Sequence, residues 1–116
     1  MEDDSKSLKT LAFSGKKADF MMWQAKFLSY ANFKSFKGVL LGKEKLIKVK
    51  VEAGETLSDE QKKTNETFLK ANNQAYSLLH MCVKDPVSFQ AIYNAMTDDM
   101  PEGDAYLAWQ NLHTKF

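Results

Sequence analysis

A chain of 116 residues with 44% hydrophobic and 12% aromatic residues is typical of one globular domain, and this composition argues against an intrinsically disordered protein. No apolar run approaches the roughly 20 residues of a membrane span, so we expect no membrane partner. All 16 basic residues are lysines, which excludes an arginine finger and disfavours sequence-specific nucleic-acid recognition, because lysine lacks the bidentate fork of arginine.

The first part of the chain predicts a tail followed by a helix. Residues 1–10 are polar, begin with an acidic Glu-Asp-Asp stretch and are expected to form a flexible tail. A helix is predicted from about Lys17 to Asn32, because large apolar residues recur there at steps of three and four. The buried face of this helix is predicted to comprise Phe20, Trp23, Phe27 and Tyr30/Ala31, widened by Met21 and Leu28.

A short helix and an extended segment are expected next. Apolar residues at positions 33, 36, 39 and 40 predict a short helical turn that ends at Gly42, since glycine suits the position just after a helix. Residues 43–57 then alternate apolar and charged side chains, with Ile47 and Val49 between Lys48 and Lys50. No second strand signal accompanies them, so we expect an extended, lysine-rich loop or at most one arm of a small hairpin.

Capping signals mark the starts of three further helices. Ser58 with Gln61 three residues later is a capping box, and the helix that it opens is predicted to end near Lys84. Asp85 followed by proline marks the next start, and Asp104 marks the last one. The predicted apolar stripes are Phe89, Ile92, Tyr93 and Met96 on the second of these helices, and Ala105, Ala108, Trp109, Leu112 and Phe116 on the third. The predicted fold class is therefore all-α, a small bundle of four main helices plus a short helix.

No residues form a recognisable catalytic or metal-binding motif. His80 and Cys82 stand about 200° apart on one predicted helix and cannot hold a metal ion together, and His113 is isolated. The acidic stretch from Asp98 to Asp104 fails the spacing of an EF-hand, because required ligand positions carry apolar residues. We therefore predict no catalytic, metal or cofactor site and no small-molecule substrate, and we interpret the chain as a non-enzyme.

Opposite charges are segregated along the sequence. Residues 34–50 contain six lysines and one glutamate, a net charge of +5, while residues 85–104 contain five carboxylates and no lysine, a net charge of −5. Such runs are usually solvated faces. They can also be complementary patches on two copies of one subunit, or the lysines can contact RNA phosphates. The residues considered for such assembly or RNA contacts are Lys43, Lys45, Lys48, Lys50, Asp98, Asp99 and Glu102.

Two stretches far apart in the chain resemble the Gag polypeptide of copia-type LTR retrotransposons. The stretch LAFSGKKADFMMWQAKF is similar to the start of that family's Gag, an apolar-x-Phe-x-Gly turn followed by a helix with an aromatic residue, a tryptophan three positions later and an apolar residue beyond. The stretch DAYLAWQNLHTKF is similar to the family's Ala-x-x-Ala-Trp-x-x-Leu-x-x-x-Phe/Tyr helix. The matching residues are Phe13, Gly15, Phe20, Trp23 and Phe27 in the first stretch, and Ala105, Ala108, Trp109, Leu112 and Phe116 in the second.

The resemblance implies that residues 11–116 are an N-terminal capsid domain with a helical fold like that of retroviral capsids. Such a domain self-assembles into a shell of identical subunits, a cytoplasmic virus-like particle that encloses element RNA; the single Cys82 and the lack of a secretory signal fit that compartment. A second capsid domain is expected beyond residue 116, and RNA contact mainly through segments outside this chain. The residues also leave open a helical adaptor, or a domesticated Gag-derived module that binds host proteins.

Overall fold

The computed structural model describes residues 11–116, and for Val51 it describes only the backbone. The tail predicted at residues 1–10 lies outside the described residues. Five α-helices follow in chain order: α1 Phe20–Phe33, α2 Lys37–Leu40, α3 Asp59–Cys82, α4 Pro86–Tyr93 and α5 Ala105–Lys115. Two 3₁₀ turns lie at Lys17–Asp19 and Val51–Ala53. The described part of the chain contains no β-strand, so the predicted all-α class, four main helices plus a short one, is confirmed.

The capping residues predicted from the sequence begin the helices. Ser58 Oγ accepts a hydrogen bond from the Gln61 amide at 3.1 Å, and Gln61 Oε1 accepts one from the Ser58 amide at 2.9 Å, which completes the capping box of α3. The carboxylates of Asp85 and Asp104 each accept a bond from the backbone amide three residues later. These bonds satisfy amides that have no partner within the helix, and so they fix where α3, α4 and α5 start.

Helix α1 ends in a Schellman motif in which serine replaces the usual glycine. The Ser35 amide donates to the Asn32 carbonyl at 3.3 Å, and the Phe36 amide donates to the Ala31 carbonyl at 2.9 Å. Ser35 has a φ of 67°, in the left-handed region that favours glycine. The turn directs the fully buried Phe36 back into the core, and α2 follows at once.

The lysine-rich segment is a loop held against α3 by one asparagine. Asn65 Oδ1 accepts a hydrogen bond from the Ile47 amide at 2.8 Å, and Asn65 Nδ2 donates to the Ile47 carbonyl at 3.0 Å. The Ile47 amide and carbonyl therefore point to the same side of the chain, as in an extended residue, and the Asn65 side-chain amide pairs with both. The predicted extended loop is confirmed, and within the described residues it has no partner strand that would make it an arm of a hairpin.

Aromatic side chains from α1, α5 and the segment before α1 fill the main core. Trp23 on α1 and Trp109 on α5 are both buried, with ring centroids 5.7 Å apart. Trp23 Nε1 donates a 2.6 Å hydrogen bond to the Leu11 carbonyl, and the Phe13 amide donates a 2.8 Å bond to the Cys82 carbonyl at the end of α3. These bonds hold the first described residues across both α1 and α3.

The predicted buried faces need two corrections. Met21, expected in the core, is 80% exposed, because the buried stripe of α1 is narrower than predicted. On α4, Phe89, Tyr93 and Met96 are about half exposed, and only Ile92 of the predicted stripe is buried. The residues that α4 buries, with Ala95 just beyond its end, are small apart from one isoleucine: Ser88, Ala91, Ile92 and Ala95. The physical reason is that α4 approaches α5 closely, and a close approach accommodates small residues and displaces large ones.

Candidate functional site

The two stretches that resemble Gag meet in one aromatic cluster. The Phe13 ring lies 5.0 Å from the Phe116 ring in an edge-to-face arrangement, and the Phe20 ring stacks on Phe116 at 5.5 Å. The Phe27 and Trp109 centroids are 5.5 Å apart. Aromatic pairs at these separations stabilise a fold beyond the burial of their area. Phe13, Phe20, Trp23, Phe27 and Trp109 are therefore core residues, and Phe116 is partly buried against them.

Gly15 turns the chain where no larger residue fits. Its φ is +82°, and a Cβ atom there would lie 2.7–2.8 Å from the side-chain atoms of Asp85, the residue that caps α4. The second carboxylate oxygen of Asp85, Oδ1, is buried and has no hydrogen-bond partner among the described residues. A side chain at position 15 would thus strain the backbone and displace the cap of α4, which gives the glycine of the first motif a structural reason.

Asn72 is a structural residue that the sequence interpretation missed. It is 1% exposed, its Nδ2 donates to the Gly103 carbonyl at 2.8 Å, and its Oδ1 accepts from the Ala105 amide at 2.9 Å. One amide therefore satisfies the backbone on both sides of the start of α5. Its position in the sequence could have indicated its burial, because residue 72 falls on the same face of α3 as the buried Phe68 and Leu79.

The lysine-rich loop and the acidic loop, residues 97–104, are neighbours within one chain. Lys48 Nζ lies 2.6 Å from Asp99 Oδ2, with the two side chains 62% and 68% exposed. Glu102 Oε2 accepts a 3.3 Å hydrogen bond from Asn73. The other candidate residues, Lys43, Lys45, Lys50 and Asp98, are exposed. The structure thus brings two of the seven candidate contact residues together, inside the subunit, at a pair worth under about 1 kcal/mol.

A cleft of about 520 Å³ separates these two loops. Its apolar lining includes Val39, Leu46, Phe68, Met100 and Tyr106, and the Lys48–Asp99 pair lies among its polar lining. Gly42, predicted to end α2, has a φ of +76° and faces the Tyr106 ring so closely that a Cβ atom would come within 2.7 Å of it. The lining also includes five charged residues, Glu44, Lys45, Lys48, Asp99 and Asp104, so the cleft is a mixed apolar and charged surface.

Cys82, His80 and His113 each pack against or hydrogen-bond to the rest of the fold. Cys82 is fully buried, and burial raises the pKa of its thiol to about 12, so at neutral pH it is not a thiolate nucleophile. Burial lowers the pKa of His80, which packs between the rings of Tyr76 and Phe89. His113 Nδ1 lies 2.7 Å from the Trp109 carbonyl. Within residues 11–116, no group of three His, Cys, Asp or Glu residues could hold a metal ion.

Large apolar side chains remain on the surface of α4 and just beyond its end. Phe89 and Tyr93 lie one helical turn apart on one face of α4, with their rings stacked at 6.0 Å, and Met96 follows three residues beyond the helix end. We call these three residues the α4 stripe. Exposed apolar residues grouped on one face commonly mark a contact with another protein, so the α4 stripe is a candidate interaction surface. No helix within the described residues is long and apolar enough to cross a membrane.

No protein-family model, no curated protein and no solved structure matches this chain. The resemblance to Gag therefore depends on the two sequence stretches and on the residues that they place together. Function is inferred below from those residues and from the exposed surfaces.

Proposed function

We propose that this chain is the N-terminal capsid domain of a Gag polypeptide of a copia-type LTR retrotransposon. In this role it is a structural protein, with no catalytic activity, that assembles into cytoplasmic virus-like particles around element RNA. The observation that carries the proposal is the packing of the two resembling stretches against each other, with Phe13 on Phe116 and Trp23 on Trp109. Residues that pack in one domain core are expected to be present in the same sequence, and the family pattern contains both stretches.

The α4 stripe supports a role in assembly. Phe89, Tyr93 and Met96 are large apolar residues placed about half in water beside a core that is otherwise well packed. Burial of such side chains against a neighbouring subunit stabilises association in proportion to the apolar area removed from water. Capsid contacts are individually small and gain strength from their number, so the isolated chain is expected to be a monomer or a weak oligomer.

The charged loops supply a second candidate contact, in which exposed lysines meet a negatively charged partner. Lys48 and Asp99 pair within the subunit, which leaves Lys43, Lys45 and Lys50 as the exposed positive charges that can meet RNA phosphates or the acidic loop of a neighbour. Replacement of the four loop lysines, Lys43, Lys45, Lys48 and Lys50, by glutamine separates these mechanisms. Loss of RNA with normal shells indicates phosphate contact. Loss of shells without RNA indicates a contact between subunits, and normal particles with normal RNA content contradict both.

A second candidate function is a helical adaptor, including a domesticated Gag that binds a host protein. The observation that favours it is the cleft of about 520 Å³ between the lysine-rich and acidic loops, whose apolar and charged lining can receive side chains of a partner. An adaptor of this kind stays monomeric at every concentration and binds its partner through the cleft.

The decisive experiment is to express the chain with the coding sequence that follows it and to look for particles by negative-stain electron microscopy. Particles in the wild type, and their loss in Phe89→Ala/Tyr93→Ala with the fold retained by circular dichroism, support the capsid proposal. Met21→Ala, which truncates an exposed apolar residue on another helix, is the matched control and should assemble normally. A chain that stays monomeric in this context, followed by no zinc knuckle, protease or integrase sequence, contradicts the capsid role and favours the adaptor.

A further inference from the structure

The C-terminal end of α1 carries an exposed phenylalanine among lysines. Phe33 is 79% exposed, and Lys34 and Lys37 on either side of the Schellman turn are exposed too. Residues 20–43 contain four lysines and no acidic residue, a net charge of +4. The Glu44 carboxylate packs against Gly38, next to Lys37, and the remaining charge around the exposed ring is positive.

The side chains at this end of α1 are arranged around the ring. Lys34 Nζ lies 5.8 Å from the centroid of Phe33 and 5.8 Å from the centroid of Tyr30, so one ammonium group contacts both rings. Much of the Phe33 ring still faces solvent. Among the described residues, neither Lys34 nor Lys37 takes part in an ion pair. A positive charge is thus held next to a ring that remains free to stack.

The turn after α1 is anchored in the core directly beside the exposed ring. Ser35 takes the left-handed conformation at a φ of 67°, and the Phe36 ring is anchored in the core 6.3 Å from Phe27. Lys26 lies on the same side of α1 as Phe33, seven residues earlier and about 10 Å along the helix axis. Lys26 therefore precedes the exposed ring on one face of α1, and Lys34 contacts the ring directly.

We propose that the end of α1, formed by Lys26, Phe33, Lys34 and Lys37, binds single-stranded RNA. One unpaired base stacks on Phe33, and the flanking phosphates contact the lysines. Exposed aromatic rings within a positively charged surface are the usual means of binding single strands without sequence preference. The lack of arginine agrees with such binding, because stacking and point charges do not read base edges.

The charge distribution favours RNA over a protein as the occupant. An apolar protein partner needs only the ring, whereas four lysines without a carboxylate between residues 20 and 43 complement a polyanion. The surface is distinct from the lysine-rich loop, in which Lys48 is already paired with Asp99. The inference rests on the proposed function only for the source of the RNA, and its test uses the 116-residue chain without assembly.

The test measures fluorescence anisotropy of a labelled short oligouridine at low salt, with duplex RNA of equal length for comparison. Phe33→Ala should weaken binding of the single strand by about tenfold, while Phe33→Trp should retain it, because indole also stacks on a base. Met21→Ala is the matched control for the loss of an exposed apolar side chain and should bind as the wild type does.

The lysines are tested through the salt dependence. Lys34→Gln/Lys37→Gln should reduce the slope of log K against log salt by about 1.4, since each phosphate contact with a single strand contributes about 0.7. Lys62→Gln/Lys63→Gln, two exposed lysines on α3, gives the same change of net charge and should leave the slope nearly unchanged.

Three outcomes would overturn the inference. They are a wild type that does not bind the oligouridine, equal effects of the two lysine pairs, and a Phe33→Ala variant that binds normally. A Phe33→Ala chain that binds RNA but no longer forms particles would show that the ring contacts protein. In each case the capsid proposal still depends on particle formation by the wild type, so the two failures can be told apart.

Discussion

Helix α5 packs against α1 and against α4 in two different ways. Toward α1 the contact is made by large rings such as Trp23 and Trp109, whose length keeps the two backbones apart. Toward α4 the two backbones lie close together, and the Asn111 side-chain amide donates a hydrogen bond to the Ala91 carbonyl at 2.9 Å. The first interface is ring-filled and the second is built from small residues. The same helix therefore shows that burial depends on the distance between backbones as much as on side-chain hydrophobicity.

Removal of a ring from the ring-filled interface should have the largest effect. Trp109→Ala is expected to lower the free energy of unfolding by about 3–5 kcal/mol. The truncation leaves a cavity between α1 and α5, and the surrounding rings cannot move far enough to fill it. Urea denaturation measures the change, and Met21→Ala serves as the exposed control. A Trp109→Ala protein as stable as the control would show that the rings do not support this interface.

At the small-residue interface between α4 and α5, enlarging a small buried residue should destabilise the protein more than truncating a large exposed one. Ala91→Leu is expected to cost about 3 kcal/mol, at the upper end of the range for overpacking, because the close approach of α4 to α5 leaves no room for three more carbons. Phe89→Ala, on the exposed α4 stripe, should cost under about 1 kcal/mol. Thermal unfolding of both variants tests the contrast, and a Phe89→Ala change larger than the Ala91→Leu change would contradict it.

Alkaline pH should probe the end of α3, where Phe13 crosses Cys82. Burial raises the pKa of the Cys82 thiol to about 12, whereas the unfolded thiol ionises near pH 8.5. Above about pH 8.5 the unfolded state loses this proton and the folded state keeps it, so stability should fall by roughly 1.4 kcal/mol per pH unit, about 2 kcal/mol by pH 10.

Cys82→Ala gives the control for that pH dependence. Its unfolding free energy should be lower at neutral pH but should fall less steeply above pH 8.5, because the titrating group is gone. Burial also raises the pKa of Tyr76, so some alkaline decline should persist in the variant. Identical slopes for both proteins between pH 8 and pH 10 would rule out a contribution from the thiol.

The smallest expected effect lies at the end of α1. Ser35→Gly should stabilise the protein by about 0.5 kcal/mol, because glycine adopts the left-handed conformation without a steric cost. Ser29→Gly, at an exposed position inside α1, should destabilise it by a similar amount. Opposite signs in chemical denaturation would confirm that the turn, rather than the loss of a hydroxyl group, is responsible.

The sequence predicted the ring-filled interface well because size and periodicity agree there. Phe20, Trp23 and Phe27 recur at helical spacing and lie on one face of α1. The caps were equally predictable, since Ser58 and Asp85 satisfy amides within three residues of themselves. Both kinds of signal are local, and local geometry is what sequence spacing encodes.

The buried face of α4 and the long-range polar contacts could not be predicted from local sequence spacing. Hydrophobicity ranks Phe89 above Ser88 and Ala91, yet the close approach of α5 selects the small residues for burial. The Lys48–Asp99 pair joins residues 51 positions apart, and charge alone does not specify which lysine meets which carboxylate. Asn72 was missed because an amide on an apolar face looks unfavourable until its backbone partners are known.

The contact between Phe13 and Phe116 has a consequence for the order of folding. The two rings pack 5.0 Å apart although they are separated by 103 residues, so nearly the whole described chain must emerge from the ribosome before the aromatic cluster can close. Helices α3 and α4 are joined by a short connection and can pair earlier, since short loops close at low entropic cost. We therefore expect nascent chains truncated before α5 to hold a helical hairpin with exposed rings, a species that requires protection from aggregation until synthesis passes residue 116.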